Sequence, residues 1–370
     1  MNFLEYINHD LFHFEKRTMY NKTICVIGDP HFKITNVRDT ELMTSDILTL
    51  VKRNVPDLIV VLGDIIDRHE NIHPTPLVQA QKFLYALSKI ALTYVLIGNH
   101  DLKNNMEFLS EEHGFWACKF WENLVIVDTV HTYTFPDTNF NIMFCPYVSP
   151  GRFIEALETC KEKNWKTDID LIFAHQEFKG ANMGGTYSIE GDVWGTKKEG
   201  YPFVGSGHIH DYQELYKGNV TYFGTPIQHG YEDNRNKKIT YMTIDTKTKE
   251  WNIKRSGLPS IPKKKIVYLT CGGMDTYKPK EGYQLKIKIS GTHGETKVAN
   301  KHPNIELWKS KGHKVKVIEI QEHKKNMKEI YYQPSGKKLG YREVLYKNIA
   351  SNHQLVEAYK DVYGDVKVDM

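Results

Sequence analysis

The feature that most constrains the fold is an apolar run that ends in metal-ligand residue types. Residues 24–27 are apolar, and Gly28, Asp29, Pro30 and His31 follow them directly. An apolar run bounded by glycine and proline predicts a short buried strand that ends in a turn. Open α/β folds place their chemistry at the carboxyl ends of such strands. One Asp-x-His pair is weak evidence, so the prediction depends on whether other strands end in the same way.

Four further apolar runs do end in the same way. They cover residues 58–62, 93–97, 171–174 and 203–206. The residues that follow these runs are Gly63-Asp64-Ile65-Ile66-Asp67-Arg68, Gly98-Asn99-His100-Asp101, His175 and Gly207-His208-Ile209-His210. Five such blocks in one chain predict a metal site. Its predicted ligands are Asp29, His31, Asp64, Asn99, His175, His208 and His210.

The number and type of these ligands predict two metal ions. One ion cannot use seven protein ligands of this kind, because six-coordinate ions usually keep water. Mixed imidazole and carboxylate ligands favour Mn²⁺, with Fe²⁺ or Zn²⁺ as alternatives, over Ca²⁺ or Mg²⁺. Two ions roughly 3.5–4 Å apart can hold the attacking and leaving oxygens of a phosphoryl displacement. The sequence therefore predicts phosphoester hydrolysis by a metal-activated water.

Alternation of strands and helices predicts the fold class, which is α/β. Apolar residues recur at helical spacing in residues 39–54, between the first and second strands, and in residues 77–91, between the second and third strands. This order predicts right-handed crossovers and a parallel sheet. We further predict a helix over residues 102–120, strands over residues 124–127 and 142–144, and a helix over residues 153–160.

As a set, the five blocks resemble the calcineurin-like metallophosphoesterases over about residues 22–245. The resemblance implies a four-layer αββα sandwich, in which two sheets are flanked by helices. It also implies that Asp64 bridges the two metal ions. The first ion would be held by Asp29, His31, Asp64 and His210, and the second by Asp64, Asn99, His175 and His208.

The same resemblance implies three catalytic candidates. His100 matches the histidine that protonates the leaving oxygen. In phosphatases of the superfamily, the equivalent of Asp67 pairs with that histidine and the equivalent of Arg68 contacts phosphate. A carboxylate on the far imidazole nitrogen would fix the tautomer and favour the protonated acid. The alternative is a local ion pair between Asp67 and Arg68.

Within the superfamily, the chain most resembles the DNA-repair nuclease branch, that is, the exonuclease subunit SbcD and its meiotic-recombination relatives. The resemblance rests on His175-Gln176, on Gly224-Thr225-Pro226 and on a C-terminal β-α-β unit. Outside the blocks the match is loose, as in phage and large-virus homologues. Many members of the branch from cellular organisms carry histidine where Asp67 stands, whereas others, including SbcD-like members, carry aspartate. The implied function is an exo- or endonuclease in DNA repair or recombination.

Two other functions remain open. One is a phosphatase or phosphodiesterase that acts on a small or protein substrate. The other is a non-catalytic scaffold. The sequence argues against a scaffold, because every ligand position is present.

Composition changes along the chain predict four regions. A linker is predicted over residues 259–265, between the second region and the third. The four regions are an N-terminal extension (1–20), a metallophosphoesterase domain (21–258), a basic DNA-capping domain (263–330) with strands at 283–289 and 315–320, and a helical tail (339–370).

A strongly basic segment predicts DNA as a partner. Residues 263–328 contain 16 lysines, no arginine and 6 acidic residues, whereas the whole chain carries a net charge of only +4. Lysines without arginine suit contact with the phosphate backbone better than base recognition. The alternative is a solvated lysine-rich face.

The tail predicts a protein partner. Val344, Leu345 and Ile349 form one apolar stripe, and Leu355, Tyr359 and Val362 form a second. Nucleases of the resembled branch use C-terminal helices to bind the coiled coil of an SMC-like ATPase, and a homodimer is a further partner prediction. The alternative is a helix pair docked on its own domain.

The chain lacks the features of a membrane or disulfide-bonded protein. No stretch reaches the roughly 18 uncharged apolar residues of a membrane span. Its 5 cysteines lack CxxC spacing, and residues 1–17 lack the apolar core of a secretory signal. We therefore expect a soluble, intracellular protein.

Overall fold

The computed structural model describes residues 20–68, 72–320, 345–346, 348–350, 355–357 and 359–360. The predicted extension at residues 1–20 lies almost wholly outside the described residues. Two compact units divide the chain. The first comprises residues 1–266 and 279–286, and the second comprises residues 267–278 and 287–370.

The described residues form strands and helices in the predicted α/β order. The strands are β1 (Asn21–Ile27), β2 (Leu58–Val61), β3 (Thr93–Leu96), β4 (Leu124–Val127), β5 (His131–Thr134), β6 (Asn141–Cys145), β7 (Leu171–Ala174), β8 (Phe203–Ser206), β9 (Gln213–Leu215), β10 (Val220–Tyr222), β11 (Ile239–Asp245), β12 (Glu250–Ser256), β13 (Lys263–Thr270), β14 (Tyr283–Gly291) and β15 (Lys314–Glu319). The α-helices are α1 (Val37–Asn54), α2 (Pro74–Ser88), α3 (Phe153–Glu158), α4 (His293–Ala299) and α5 (Pro303–Ser310).

Two six-stranded sheets form the first unit. Their strand orders are β12-β11-β1-β2-β3-β4 and β5-β6-β7-β8-β10-β9. The central pairs β1–β2, β2–β3 and β3–β4 of the first sheet are parallel, as are β6–β7, β7–β8 and β8–β10 of the second. The predicted parallel sheet is therefore confirmed, and antiparallel strands complete its edges.

Three apolar cores separate four layers of structure. In β1, Ile24 and Val26 face a core shared with the second sheet, while Cys25 and Ile27 pack in a core with α1 and α2. A third core joins the outer face of the second sheet to α3 through residues such as Phe153. A strand covered on both faces is apolar throughout, which explains the unbroken runs of the sequence. The αββα sandwich is confirmed.

Residues 102–120 do not form the predicted α-helix. They form turns and one 3-10 helix, Trp116–Phe120. Polar side chains take up local backbone N–H groups instead: Asn104 Oδ1 accepts from Met106 N–H at 2.8 Å, and Ser110 Oγ accepts from Glu112 N–H at 3.2 Å. Asparagine and serine compete with helical hydrogen bonds in this way, so the aromatic spacing was misleading.

The basic segment contains more structure than the predicted β-α-β unit. β13, β14 and β15 form a three-stranded sheet in that order, and α4 and α5 pack on β15. The linker prediction over residues 259–265 is wrong at its end, because β13 begins at Lys263. The buried Lys264 backbone N–H donates to Gln228 Oε1 at 2.8 Å, and its ammonium lies 2.8 Å from Asp39.

No helix among the described residues is long and apolar enough to cross a membrane. Of the tail anchors, Val344 and Val362 lie outside the described residues, whereas Leu345 and Ile349 are half-buried. Leu355 is 50% exposed and Tyr359 is 4% exposed.

Candidate metal centre

Strand ends bring the seven predicted ligands together. Asp29 and His31 follow β1, Asp64 follows β2 and Asn99 follows β3. From the other sheet, His175 follows β7, while His208 and His210 follow β8. The carboxyl ends of parallel strands meet at one edge of a sheet, so residues far apart in sequence become neighbours.

One group of ligands surrounds His31. Its Nε2 lies 3.0 Å from His210 Nε2 and 3.6 Å from Asp64 Oδ2. Two imidazole nitrogens this close, with a carboxylate oxygen beside them, form a donor set for one cation.

A second group of ligands surrounds Asn99. Its Oδ1 lies 3.1 Å from His175 Nε2 and 3.0 Å from His208 Nδ1. His175 Nε2 is also 3.4 Å from Asp64 Oδ1. One ligand atom each from Asp64, His175 and His208 falls within 4.8 Å of the others. Asp64 thus offers Oδ2 to the first group and Oδ1 to the second, which is the arrangement a bridging carboxylate requires.

A backbone hydrogen bond orients His175 toward the second group. Its Nδ1 donates to the carbonyl oxygen of Leu62 at 2.6 Å, and a carbonyl can only accept. The ring therefore presents Nε2 to Asn99 and Asp64. Metal-ligating histidines are usually held by such a bond on their other nitrogen.

Unsatisfied buried atoms show that this donor set fits divalent cations. Both carboxylate oxygens of Asp29 and the Nδ1 atom of His31 are buried and lack a hydrogen-bond partner in the described part of the chain. Buried polar atoms are almost always paired. Burial, helped by the nearby Asp64 carboxylate, raises the pKa of Asp29 to about 8. A cation beside Asp29 would satisfy its two orphaned oxygens. The Nδ1 atom of His31 lies 3.5 Å from Asp67 Oδ1, because Nε2 is the nitrogen that faces the other ligands.

The charges of the centre are arranged around Asp64. Burial alone would raise the pKa of this carboxyl group, but His175 and then His31 outweigh burial and hold the pKa well below its usual range. Burial keeps the pKa of His31 low, and the neighbouring His210 lowers it further. Asp64 therefore stays ionised and His31 neutral, the forms that bind metal.

Glycine and strained backbone at the strand ends permit this packing. A methyl group at Gly98 would collide with Asp64, and one at Gly63, where φ is +103°, would collide with His175. His31, Asp64 and His208 themselves adopt positive φ angles of 44°, 47° and 78°. Positive φ is uncommon in non-glycine residues and is concentrated at functional sites.

The three catalytic candidates occupy different environments. His100 Nε2 lies 4.0 Å from Asp64 Oδ2, and its Nδ1 donates to the backbone carbonyl of Asp67 at 2.7 Å. The carboxylate of Asp67, which the resemblance pairs with this ring, instead accepts from Lys33 at 2.8 Å in the structure. Arg68 is exposed, and the alternative Asp67–Arg68 ion pair is absent among the residues described.

One carboxylate quoted in the sequence blocks has a structural role that the sequence did not reveal. Asp101 is buried and accepts from the backbone N–H groups of Gly98 at 2.9 Å, Ile66 at 3.0 Å and Ile65 at 3.2 Å. It therefore fixes the turns that carry Asn99 and Asp64.

Sequence reasoning missed a third histidine beside the first group of ligands, which already contains His31 and His210. The ring of His229 lies 4.8 Å from that of His31 and 5.3 Å from that of His210. Its Nε2 donates to the carbonyl oxygen of Asp29 at 3.2 Å. Burial, followed by the nearby His31, keeps the pKa of His229 well below its usual value. Its only sequence signal is its position three residues after Gly224-Thr225-Pro226.

Comparison with known proteins places this centre in a family. The family described as Calcineurin-like phosphoesterase matches residues 22–212, a span that contains all seven ligands. The chain belongs to the calcineurin-like phosphoesterases. Members of this family use divalent metals to hydrolyse phosphate esters, and the donor set of this member fits that chemistry.

Curated relatives of this phosphoesterase come from invertebrate iridescent viruses. "Putative phosphoesterase 078R" of Invertebrate iridescent virus 3 is 38% identical over 280 residues, which cover 74% of this chain and 77% of the relative. "Putative phosphoesterase 244L" of Invertebrate iridescent virus 6 is 36% identical over 277 residues, which cover 74% of this chain and 95% of the relative. These relatives agree with the expected likeness to large-virus proteins.

Solved structures align more distantly. Yfce, a phosphoesterase from E. coli, is 12% identical with a TM-score of 0.29, and the alignment covers 64% of this chain and 99% of Yfce. GAP50, the anchor in the inner membrane complex of Plasmodium, is 11% identical with a TM-score of 0.35, and the alignment covers 82% of this chain and 98% of GAP50.

Proposed function

We propose that this calcineurin-like phosphoesterase is a nuclease that hydrolyses DNA phosphodiester bonds in repair or recombination, with two Mn²⁺ ions. The observation that carries the proposal is a lysine-rich segment in the same chain as a complete set of metal ligands. Ten lysines of this segment are exposed: Lys263, Lys265, Lys278, Lys280, Lys297, Lys301, Lys309, Lys311, Lys314 and Lys316.

The chemistry of this lysine-rich segment suits a polyanion. Lysine ammonium groups are compact point charges, which fit phosphate oxygens without reading bases. On the same segment, Tyr268 is 71% exposed and Lys288 Nζ lies 5.2 Å from its ring centroid. An exposed aromatic ring beside lysines is typical of surfaces that bind nucleic acid strands.

The position of His100 supports the proposal that it delivers a proton to the leaving oxygen. Because Nδ1 is occupied by the Asp67 carbonyl, Nε2 is the nitrogen that faces the metal ligands. A positioned acid of this kind contributes roughly 10²–10⁴-fold to a rate. The bound metals would supply the nucleophilic hydroxide and neutralise the charge on phosphate.

Comparing two substrates tests the proposal. We would measure hydrolysis of linear duplex DNA and of a chromogenic phosphodiester, each with Mn²⁺ and after chelation. Lys297, Lys301, Lys311 and Lys316 would be changed together to glutamine. The matched control would carry glutamine at four exposed lysines elsewhere, namely Lys52, Lys82, Lys161 and Lys198.

We expect the first variant to lose most activity on DNA and to keep its activity on the small diester. On duplex DNA its log–log salt slope should become shallower by about 0.9 for each phosphate that the protein no longer neutralises. The control should match the unmodified protein. Unchanged DNA hydrolysis in the first variant would instead favour a phosphoesterase for a small or protein substrate, and metal binding without any hydrolysis would favour a scaffold.

A further inference from the structure

A cavity of about 280 Å³ has no role in the proposed mechanism. Its walls come from the loop after β10, the loop before β11 and the segment between β12 and β13. Small-molecule sites begin at roughly 300 Å³, so a compact ligand would fill this cavity.

A residue that lines the cavity also contacts the backbone of a predicted metal ligand. Lys237, which lines the cavity, donates from Nζ to the carbonyl oxygen of His210 at 2.6 Å. Thr225 N–H donates to the same carbonyl at 3.1 Å, and the cavity wall begins at the next residue, Pro226. A ligand in the cavity would therefore lie against the segments that hold a predicted metal ligand.

The cavity is strongly cationic. Arg235, Lys237, Lys238 and Lys263 line it, and no lining side chain is acidic. Lys237 pairs with Asp211 at 2.8 Å. Among the described residues, neither Arg235 nor Lys238 has an ion-pair partner. Their charge is therefore available to an anion, and the guanidinium of Arg235 can bind a phosphate through two parallel hydrogen bonds.

Much of the remaining lining is apolar. Pro226, Leu258, Pro259 and Pro262 contribute to this part, whereas Gln228 and Asn236 add polar groups. Apolar groups of this kind pack against a flat ring, whereas a free phosphate ion would have no use for them. A lining that combines cations with apolar groups matches a nucleotide, which carries a phosphate and a planar base.

We propose that this cavity binds the nucleotide adjacent to the scissile phosphate in a single-stranded DNA end. Arg235 and Lys238 bind the phosphate of that nucleotide, and the wall at Leu258 packs against its base. Because Lys237 links the cavity to His210, a nucleotide bound there would direct its neighbouring phosphate toward the predicted metal ligands. This inference rests on the proposed nuclease function.

Nucleotide binding can be tested without catalysis. The full chain, freed of metal by chelation, would be titrated calorimetrically with dAMP, with deoxyadenosine and with inorganic phosphate. We expect dAMP to bind more tightly than either fragment. In the double variant Arg235→Ala and Lys238→Ala, affinity for dAMP should fall by about tenfold, the effect of removing roughly 1.4 kcal/mol of charge-assisted hydrogen bonding.

The control Lys52→Ala with Lys82→Ala removes the same charge from exposed helix positions on α1 and α2 and should bind dAMP normally. A second variant, Leu258→Ser, should lose the preference for dAMP over phosphate while it keeps affinity for phosphate. No dAMP binding by the unmodified chain, or equal binding by the double variant, would overturn the inference.

Kinetics separate this inference from the proposed function. With Mn²⁺, the double variant should show a raised KM for a single-stranded oligonucleotide and an unchanged kcat, with normal hydrolysis of the small diester. An unmodified chain that binds dAMP and hydrolyses the diester but not DNA would contradict the nuclease and still support the nucleotide site. An unchanged KM in the double variant would contradict the site.

Discussion

At the scale of single residues, His100 lies beside the metal ligands, yet we expect it to act as a catalytic group and not as a ligand. Its backbone N–H donates to Asp64 Oδ1 at 2.9 Å, and its ring is anchored by the Asp67 carbonyl. We predict that His100→Ala lowers the hydrolysis rate by roughly 10²–10⁴-fold and leaves metal content unchanged. Metal analysis beside a rate measurement would check this, and loss of metal would show that His100 is a ligand.

Asp67 should behave differently from the expectation based on phosphatases. Its carboxylate pairs with Lys33, so it does not set the charge of His100 through direct contact. We predict that Asp67→Asn leaves the acidic limb of the pH–rate profile in place, because the carbonyl that binds His100 is retained. A shifted acidic limb would show that the carboxylate contacts the ring during catalysis.

His229 is predicted to hold the first group of ligands in position. Its ring packs edge-on against His31 and His210, and its Nε2 fixes the Asp29 backbone. In His229→Ala we expect weaker binding of one metal ion by about 10–100-fold, as for other residues that orient ligands. Calorimetric metal titration would measure this, with His229→Gln, which can still donate to Asp29, as the partial rescue.

At the scale of elements, Asp128 stabilises the segment that replaces the expected helix. Its carboxylate lies at the end of β4, 2.9 Å from His113 Nε2 and 2.6 Å from Lys119 Nζ. Burial would raise the pKa of Asp128, but the hydrogen bonds from His113 and Lys119 outweigh it and hold the pKa below its usual 3.8.

The lowered pKa of Asp128 gives a pH-dependent prediction. Its contribution to stability is fully present above pH 3.8 and is lost as the pH falls through the lower folded-state value. We expect Asp128→Asn to lower the free energy of unfolding by about 1–3 kcal/mol at pH 5 to 7. The difference from the unmodified protein should shrink at more acidic pH. Urea unfolding at several pH values would measure it, and a difference that does not depend on pH would contradict the assignment.

The strands that form unbroken apolar runs in the sequence are the ones buried on both faces. β1, β2, β3, β7 and β8 are apolar because two cores enclose them, and each was predicted from its run. The edge strands β9 and β12 alternate with exposed residues, and β5 is mostly half-buried, so none of the three has a comparable apolar run. The start of β13 was not predicted, because Lys264 is a charged residue and its burial is not expected from the sequence. Its partners Asp39 and Gln228 come close only in the folded chain.

At the scale of the whole molecule, ligands from two sheets form one site, and this could be predicted because each follows an apolar run. His229 and Lys33 could not be predicted, because neither follows such a run and each takes its place through contacts distant in sequence. The Asp67 contact differs from the one that the resemblance implies, because a sequence motif does not distinguish a carboxylate from a backbone carbonyl.

The tail gives a prediction about assembly. Tyr359 is buried and its ring lies 5.5 Å from that of Tyr346, whereas Leu355 is half exposed. We therefore expect Tyr359→Asp to lower thermal stability, so Tyr359 is a poor anchor for a partner. Leu355→Asp should leave stability and hydrolysis intact and weaken association with a co-expressed SMC-like ATPase. Association that survives Leu355→Asp would remove the tail from the partner prediction, and a pull-down with size-exclusion chromatography would measure both the ATPase and the homodimer.

The central claim is that two metal ions share Asp64, and Asp64→Asn tests it most directly. The measurement is metal content per chain, taken together with Mn²⁺-dependent hydrolysis of a chromogenic phosphodiester. We predict about two ions per unmodified chain, and in Asp64→Asn a loss of metal and of hydrolysis, because each carboxylate oxygen faces a different group of ligands. Full hydrolysis by Asp64→Asn, or by the unmodified chain after its metal is stripped, would contradict the account.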